Sequence, residues 1–399
     1  MNQHAGVLQS GRERRQPLGF SVSAYLRSLD WILLAATLAL AVFGLFMLYS
    51  ATHADPNISS PFFYVRSQGI GLVLGFVFMI ILSVLNYQHI ARWRTYLYGL
   101  TLVLLVLTLV LGSGGETVGA NRWLELPFLR LQTSELAKLL LILSLGAVLA
   151  EGVELRGRLR FVILCVVYTL IPCALVYLQP DLGTALVFLA VLMVMLIVWG
   201  IRLSHLGLLA GVGIFATVFA LRILPSVFGV SLLKDYQMNR LTTFLNPEID
   251  PTGLGYQLTQ SKIAIGSGMF TGKGYLDGTQ THLNFLPAHH TDFIFSVIGE
   301  ELGFMGAMLL LGLFALIIWR AFRIARMSRH LYGTLIAAGV AAVFVFQVFV
   351  NVGMTVGIMP VTGIPLPLVS FGSSSLVVFF MAVGLLESVH VHSVAGPNT

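Results

Sequence analysis

Asp292 lies where an apolar stretch begins, in Leu286-Pro287-Ala288-His289-His290-Thr291-Asp292-Phe293. Pro287 restricts the backbone on the approach, and the pattern predicts a helix starting near Asp292. Two readings of the aspartate stand side by side. In one, Thr291 or Asp292 caps the helix by accepting a first-turn N–H; in the other, the carboxylate is a general base whose pKa an apolar wall raises toward a useful value. His289 and His290 raise the question of a metal. Adjacent histidines rarely point at one ion, so solvated loop histidines are the plainer expectation. A catalytic cation bridging a pyrophosphate is a separate reading.

Other charged and polar residues cluster at short turns. Gln179-Pro180-Asp181-Leu182-Gly183-Thr184 is a tight connection in which Asp181 either caps the next helix or faces a shared polar cavity. Arg122-Trp123 precedes Thr133-Ser134-Glu135-Leu136-Ala137-Lys138. Ser134 is the expected N-cap, and Glu135 in the first turn suits the helix dipole. Lys138 snorkels, pairs with Glu135, or lines a polar cavity. Glu300 and Glu301 fall about 12–13 Å beyond Asp292 along the same helix, so they are expected to face the bundle interior. Two lookalikes fail. Lys273 is followed by Gly274 and position 267 is serine, which breaks the phosphate-loop spacing. Ser370, Ser373, Ser374 and Ser375 form no nucleophile elbow.

These groups sit in a chain whose main solvent must be lipid. Of 399 residues, 57% are hydrophobic and 10% are charged, against about 25% charged in a soluble domain. Apolar runs cover residues 31–50, 65–85, 96–111, 136–150, 161–178, 183–199, 206–224, 293–319, 331–356 and 374–390. The expected fold is an all-α integral membrane protein of about ten transmembrane helices. Cys165 and Cys173 fall eight residues apart on one predicted helix, too far for a disulfide. They read as apolar filler. The net charge of +6 marks topology rather than nucleic acid.

With the N-terminal side called inner, fourteen arginines fall in inner segments: Arg12, Arg14, Arg15, Arg27, Arg92, Arg94, Arg156, Arg158, Arg160, Arg202, Arg320, Arg323, Arg326 and Arg329. Three, Arg66, Arg122 and Arg130, fall at the outer side. That bias predicts both termini in the cytoplasm. The division expected is a basic cytoplasmic N-terminus over 1–30, one membrane domain over 31–390, and a cytoplasmic tail over 391–399. No cleavable signal peptide is read before the first run, which is expected to be retained. A large extracytoplasmic loop over 225–292 separates helices seven and eight. It holds a Gly-rich stretch, 266–274, and is expected to be functional or structured, with a short interfacial amphipathic helix over 258–265.

The motifs taken together resemble the shape, elongation, division and sporulation (SEDS) family across nearly the whole chain. The matching stretches are Gly119-Ala120-Asn121-Arg122-Trp123-Leu124, Ser134-Glu135-Leu136-Ala137-Lys138-Leu139, Gln179-Pro180-Asp181-Leu182-Gly183-Thr184, Gly255-Tyr256-Gln257, Gln260-Ser261, Leu286-Pro287, His290-Thr291-Asp292-Phe293 and Gly299-Glu300-Glu301-Leu302-Gly303. Residues 278–285, 351–355 and 360–367 resemble the elongation (RodA-type) branch. Departures are Thr133 for a usual proline, Met269 for a common glycine, Ala288 for a common acid, and Phe371 and Ser373 for the usual tyrosine and glycine.

The resemblance implies a peptidoglycan glycosyltransferase that polymerises lipid II for cell-wall elongation and cell shape. Asp292 would deprotonate the acceptor hydroxyl. Arg122, Trp123, Glu135, Lys138, Gln179, Asp181, Lys273 and His290 would bind substrate, the cations neutralising its pyrophosphate. No resident metal site is expected; a divalent cation, Mg or Mn, accompanying the pyrophosphate is left open. The implied partners are lipid II, membrane lipids and a class B penicillin-binding protein, in the bacterial inner membrane with the site on its extracytoplasmic face. The alternatives are a lipid II flippase and a non-catalytic scaffold that activates a penicillin-binding protein.

Overall fold

The computed structural model describes residues 22–53, 62–113, 122–125, 130–228, 234–282 and 285–394. Among them are ten helices long and apolar enough to cross a membrane. They are α1 (Trp31–His53), α2 (Phe62–Val84), α3 (Arg94–Leu111), α4 (Thr133–Glu151), α5 (Leu159–Leu178), α6 (Leu182–Trp199), α7 (Leu203–Val227), α10 (Ile294–Met327), α11 (Leu331–Val356) and α12 (Ser373–Val394). Two further helices, α8 (Asp235–Leu245) and α9 (Leu254–Ser267), fold between α7 and α10. A small antiparallel hairpin, β1 (Trp123–Glu125) and β2 (Arg130–Gln132), leads into α4. The chain is thus an integral membrane protein of the expected class.

Helices α4, α11 and α12 form the buried centre, while no residue of α7 is buried. Lipid removes most of the hydrophobic drive for helix association, so close van der Waals packing must supply it. Small residues provide that contact. Gly71 and Gly75 of α2 lie against Ser373 and Phe380, and Gly384 of α12 lies against the backbone of Met79. In α11, Gly339 faces Ile142 and Met195.

Three expectations change. The seventh span does not end at Pro225. A π turn over Phe219–Ile223 carries the helix on through it to Phe228. The wider turn accommodates a ring that would clash in a regular helix. Within the 225–292 segment, the short interfacial helix is instead α9, which is longer and packs on α10 and α11, burying Gly255, Leu258, Ser261 and Ala264. Arg320, read as an orientation signal, is buried and ion-paired with Asp30. Its Nε donates to Asp30 Oδ2 at 2.6 Å, and the Asp30 N–H donates to Glu387 Oε2 at 3.0 Å. These residues join the start of α1 to the far parts of α10 and α12. Arg12, Arg14 and Arg15, the Gly119–Asn121 triplet, and Leu283 and Asn284 lie outside the described residues.

The glycine contacts give a direct test. A Cβ at Gly384 would fall 2.6 Å from the Met79 carbonyl oxygen, whereas Gly207 has nothing within 4 Å. Gly384→Val should destabilise the fold by about 1–3 kcal/mol, read as a lower thermal midpoint in detergent. Gly207→Ala should not lower it. Equal midpoints for the two variants would contradict this packing.

Candidate active site

The helix after Asp292 begins at Ile294, and Phe293 is the capping residue, with no side-chain cap. Neither Thr291 nor Asp292 caps it, so the expected capping role is not realised. The turn closes instead on Ala288, at φ 54°, whose carbonyl accepts the N–H of Thr291 at 3.1 Å and of Phe293 at 3.3 Å. Among the described residues no hydrogen bond reaches the Asp292 carboxylate. It is half-buried beside Arg240. Gly363, at φ +75°, forms the shared wall. A Cβ there would lie 3.4 Å from Asp292 Oδ2 and 3.8 Å from an Arg240 guanidinium nitrogen.

Burial pushes the Asp292 carboxyl above its ordinary range. Arg240 and then Arg122 pull it back down, and Asp181 adds an upward push. Burial outweighs the two cations because a carboxylate removed from water loses more than a pair of non-contacting arginines returns. Among the described residues, neither arginine makes a contact ion pair with the Asp292 carboxylate.

Arg240 was not among the residues expected to bind substrate. It sits on α8 with its guanidinium 5.8 Å from the Tyr236 ring, and donates to Thr362 O at 2.8 Å. The spacing of Tyr236 and Arg240, one helical turn apart, was the only signal available in the sequence. Arg122 donates through Nε to Gln179 O at 3.3 Å and through Nη2 to Pro180 O. The 179–181 turn thereby holds Arg122 near the same electrostatic group as Asp292.

A second polar layer lies beneath. Asp181 caps α6, accepting from Thr184 N at 3.1 Å and Thr184 Oγ1 at 2.8 Å. Ser134 does not cap α4; Gln132 occupies that position. The Ser134 hydroxyl donates to Asp181 Oδ2 at 3.2 Å instead, because a buried carboxylate competes for it. Lys138 pairs with Glu135 at 2.7 Å, both being buried, and Ser375 donates to Glu135 Oε2 at 3.1 Å.

The remaining residues expected to bind substrate, and His289 beside them, have these surroundings. The Gln179 amide is buried and donates to Leu105 O at 2.8 Å, which ties the turn to α3. Trp123 is half-buried in β1. His290 is half-buried, its ring 4.9 Å from that of Tyr64. His289 is not a solvated loop histidine; it is buried, with Nδ1 2.7 Å from Leu286 O. Lys273 pairs with Glu300 at 2.6 Å and with Thr279 at 2.7 Å, not with Asp292. Around it, the N–H groups of Lys273 and Gly274 donate to the carbonyls of Glu300 and Glu301, and Ser50 contacts both Glu301 carboxylate oxygens at 2.6 and 2.7 Å. The Gly-rich stretch thus lies directly on α10 at Gly303, where the helix is kinked. Met269, standing where the resemblance leads one to expect glycine, adopts φ 47°. Among the described residues, no group of three His, Cys, Asp or Glu side chains converges on a metal position.

Residues 30–395 match the FtsW/RodA/SpoVE family of cell cycle proteins. This chain belongs to the SEDS family. It is 37% identical over 365 residues to peptidoglycan glycosyltransferase MrdB of Escherichia coli K12, covering 91% of this chain and 94% of that one. It is 37% identical over 376 residues to the probable peptidoglycan glycosyltransferase FtsW of Trichlorobacter lovleyi, covering 93% and 95%. The SEDS fold recurs in two solved structures. One, described as a peptidoglycan synthase complex that coordinates polymerization and crosslinking, gives a TM-score of 0.75 at 33% identity over 92% of this chain and 99% of the other. The other, the rod shape determining protein RodA of Thermus thermophilus, gives 0.64 at 32% identity over 91% and 96%.

The latch at Glu300 is separately testable. Lys273→Met leaves a fully buried carboxylate without its counter-charge, and should cost about 3–5 kcal/mol. The thermal midpoint should fall, and adding Glu300→Gln should restore most of the loss. A double variant no better than the single one would contradict the pairing.

Proposed function

We propose that this SEDS chain is a peptidoglycan glycosyltransferase that polymerises lipid II for cell-wall elongation. The observation that carries the proposal is Asp292, a carboxylate with no hydrogen bond among the described residues, set beside Arg240 and Arg122 at the mouth of α10. Asp292 takes the proton from the acceptor's sugar hydroxyl. The freed oxygen attacks the donor's anomeric carbon, the bond to the pyrophosphate breaks, and undecaprenyl pyrophosphate leaves with both electrons. Arg122 and Arg240 oppose the charge that grows on that leaving group. Lys138 and Glu135, paired beneath, are assigned a supporting electrostatic role, and Trp123 and His290 the rim.

The arginine bias supports a topology with both termini in the cytoplasm and Asp292 on the extracytoplasmic side of the inner membrane. That is where a lipid-anchored sugar substrate and a class B penicillin-binding protein would meet the chain. The relative whose structure is a peptidoglycan synthase complex supports such a partner.

Purified protein given lipid II should form glycan polymer. Asp292→Asn should slow that by about 10²–10⁴-fold, the usual worth of a general base, with an unchanged thermal midpoint. Full activity in the folded variant would remove Asp292 from the mechanism. Lipid II crossing liposomes without polymer would favour a flippase.

The pH profile carries a second expectation. A base works ionised, so activity should fall as pH drops through the raised Asp292 pKa, above the ordinary 3.8. Arg240 lowers that pKa, so Arg240→Gln should move the acidic limb to higher pH. A limb that stays put or moves down would contradict the Arg240–Asp292 coupling.

A further inference from the structure

We infer that Asn351 and Ser370 are positioning residues for Asp292, acting through a non-helical segment that grips its backbone. The inference rests on the reading of Asp292 as the general base. Residues 357–372 run between α11 and α12 without helix, yet Ile364, Leu366, Leu368 and Val369 within them are fully or nearly fully buried. Backbone buried at this depth must find its partners inside the protein, and the segment and its side-chain partners reach the three carbonyls around the proposed base.

His290 O accepts the Phe371 N–H at 3.0 Å. Thr291 O accepts the Ser370 hydroxyl at 2.7 Å. Asp292 O accepts the Asn351 amide at 3.0 Å. Three successive carbonyls are thus held, two by the segment and one by α11. The same two side chains also fix the segment itself: Asn351 donates to Ile364 O at 2.8 Å, and Ser370 Oγ accepts the Leu366 N–H at 2.8 Å. Gln68 of α2 closes the far edge. Its amide donates to Ser370 O at 3.2 Å and its oxygen accepts the Gly372 N–H at 3.0 Å. Asn351, Gln68 and Ser370 are each at most 5% exposed, so these bonds are shielded from competing water.

The arrangement has a specific consequence. The carboxylate of Asp292 has no hydrogen bond of its own among the described residues, and the helix that would otherwise fix its residue begins only at Ile294. Its direction is therefore set through its backbone. Asn351 joins Asp292 O to Ile364 O, next to Gly363, whose Cα side faces both Asp292 Oδ2 and Arg240. One amide thereby registers the base against its wall and its nearest cation. A misplacement of about 1 Å can cost roughly 10²-fold in rate, which sets the scale expected here.

The test compares Asn351→Ala, Ser370→Ala and Ser370→Thr in lipid II polymerisation, each alone and combined with Asp292→Asn, with thermal midpoints for all. The two alanine variants should lower kcat by about 10- to 100-fold while KM for lipid II stays within about twofold. Ser370→Thr, which keeps the hydroxyl, should recover most of kcat. In the Asp292→Asn background neither alanine change should lower the residual rate further, because there is no base left to position. If Asn351→Ala does not fold, the Ser370 pair decides. Wild-type kcat in a folded Ser370→Ala, or an equal proportional loss with and without Asp292, would overturn the inference. Full activity in Asp292→Asn alone would instead overturn the reading on which it rests.

Discussion

A non-helical stretch of backbone buried among membrane helices must satisfy its polar groups within the protein. In this chain that constraint ties the segment between α11 and α12 to the turn that carries Asp292. Lipid offers no hydrogen bonds, so residues 357–372 draw on backbone partners and on the side chains of Asn351, Ser370, Gln68 and Arg240. Those same side chains bring the turn before α10, the wall at Gly363 and the guanidinium of Arg240 to one place.

The remaining charges fall into separate groups with different work. Glu135, Lys138 and Ser375 link the start of α4 to the start of α12 beneath the site. Lys273, Glu300, Glu301 and Ser50 fasten the Gly-rich stretch to α10 and α1. Asp30, Arg320 and Glu387 join helices well away from Asp292 along the chain's membrane domain. Each group contains a buried acid with a partner, consistent with the cost of leaving such a charge unpaired. Asp292 differs from them. It has cations near it and no hydrogen bond among the described residues, which leaves it able to accept a proton.

Most of the fold was legible because lipid makes composition decisive. Long apolar runs located all ten spans, and the structure mainly extended their ends to polar residues such as Arg94 and Thr133 that belong to the same helices. The capping roles were not legible. Ser134 has a good capping side chain, but a buried carboxylate from another helix takes its hydroxyl. Asp292 sits two residues before its helix, because the turn closes on Ala288 instead. His289 and Arg320 are polar residues in loop-like or terminal settings, and only tertiary packing buries them. Arg240 was invisible for a related reason: α8 is short and mixed in polarity, and nothing local says that it folds back over the 362–363 turn. The family motifs identified Asp292, Asp181 and the Glu135–Lys138 pair, but not which of them touch.

The proposed mechanism needs Asp292 to face the acceptor hydroxyl while Arg122 and Arg240 face the pyrophosphate. A structure of the protein with an unreactive lipid II analogue tests it most directly. A sugar hydroxyl should lie within hydrogen-bond distance of the Asp292 carboxylate, with the pyrophosphate against the two guanidinium groups. An analogue bound with Asp292 turned away from both sugar and phosphate would contradict it.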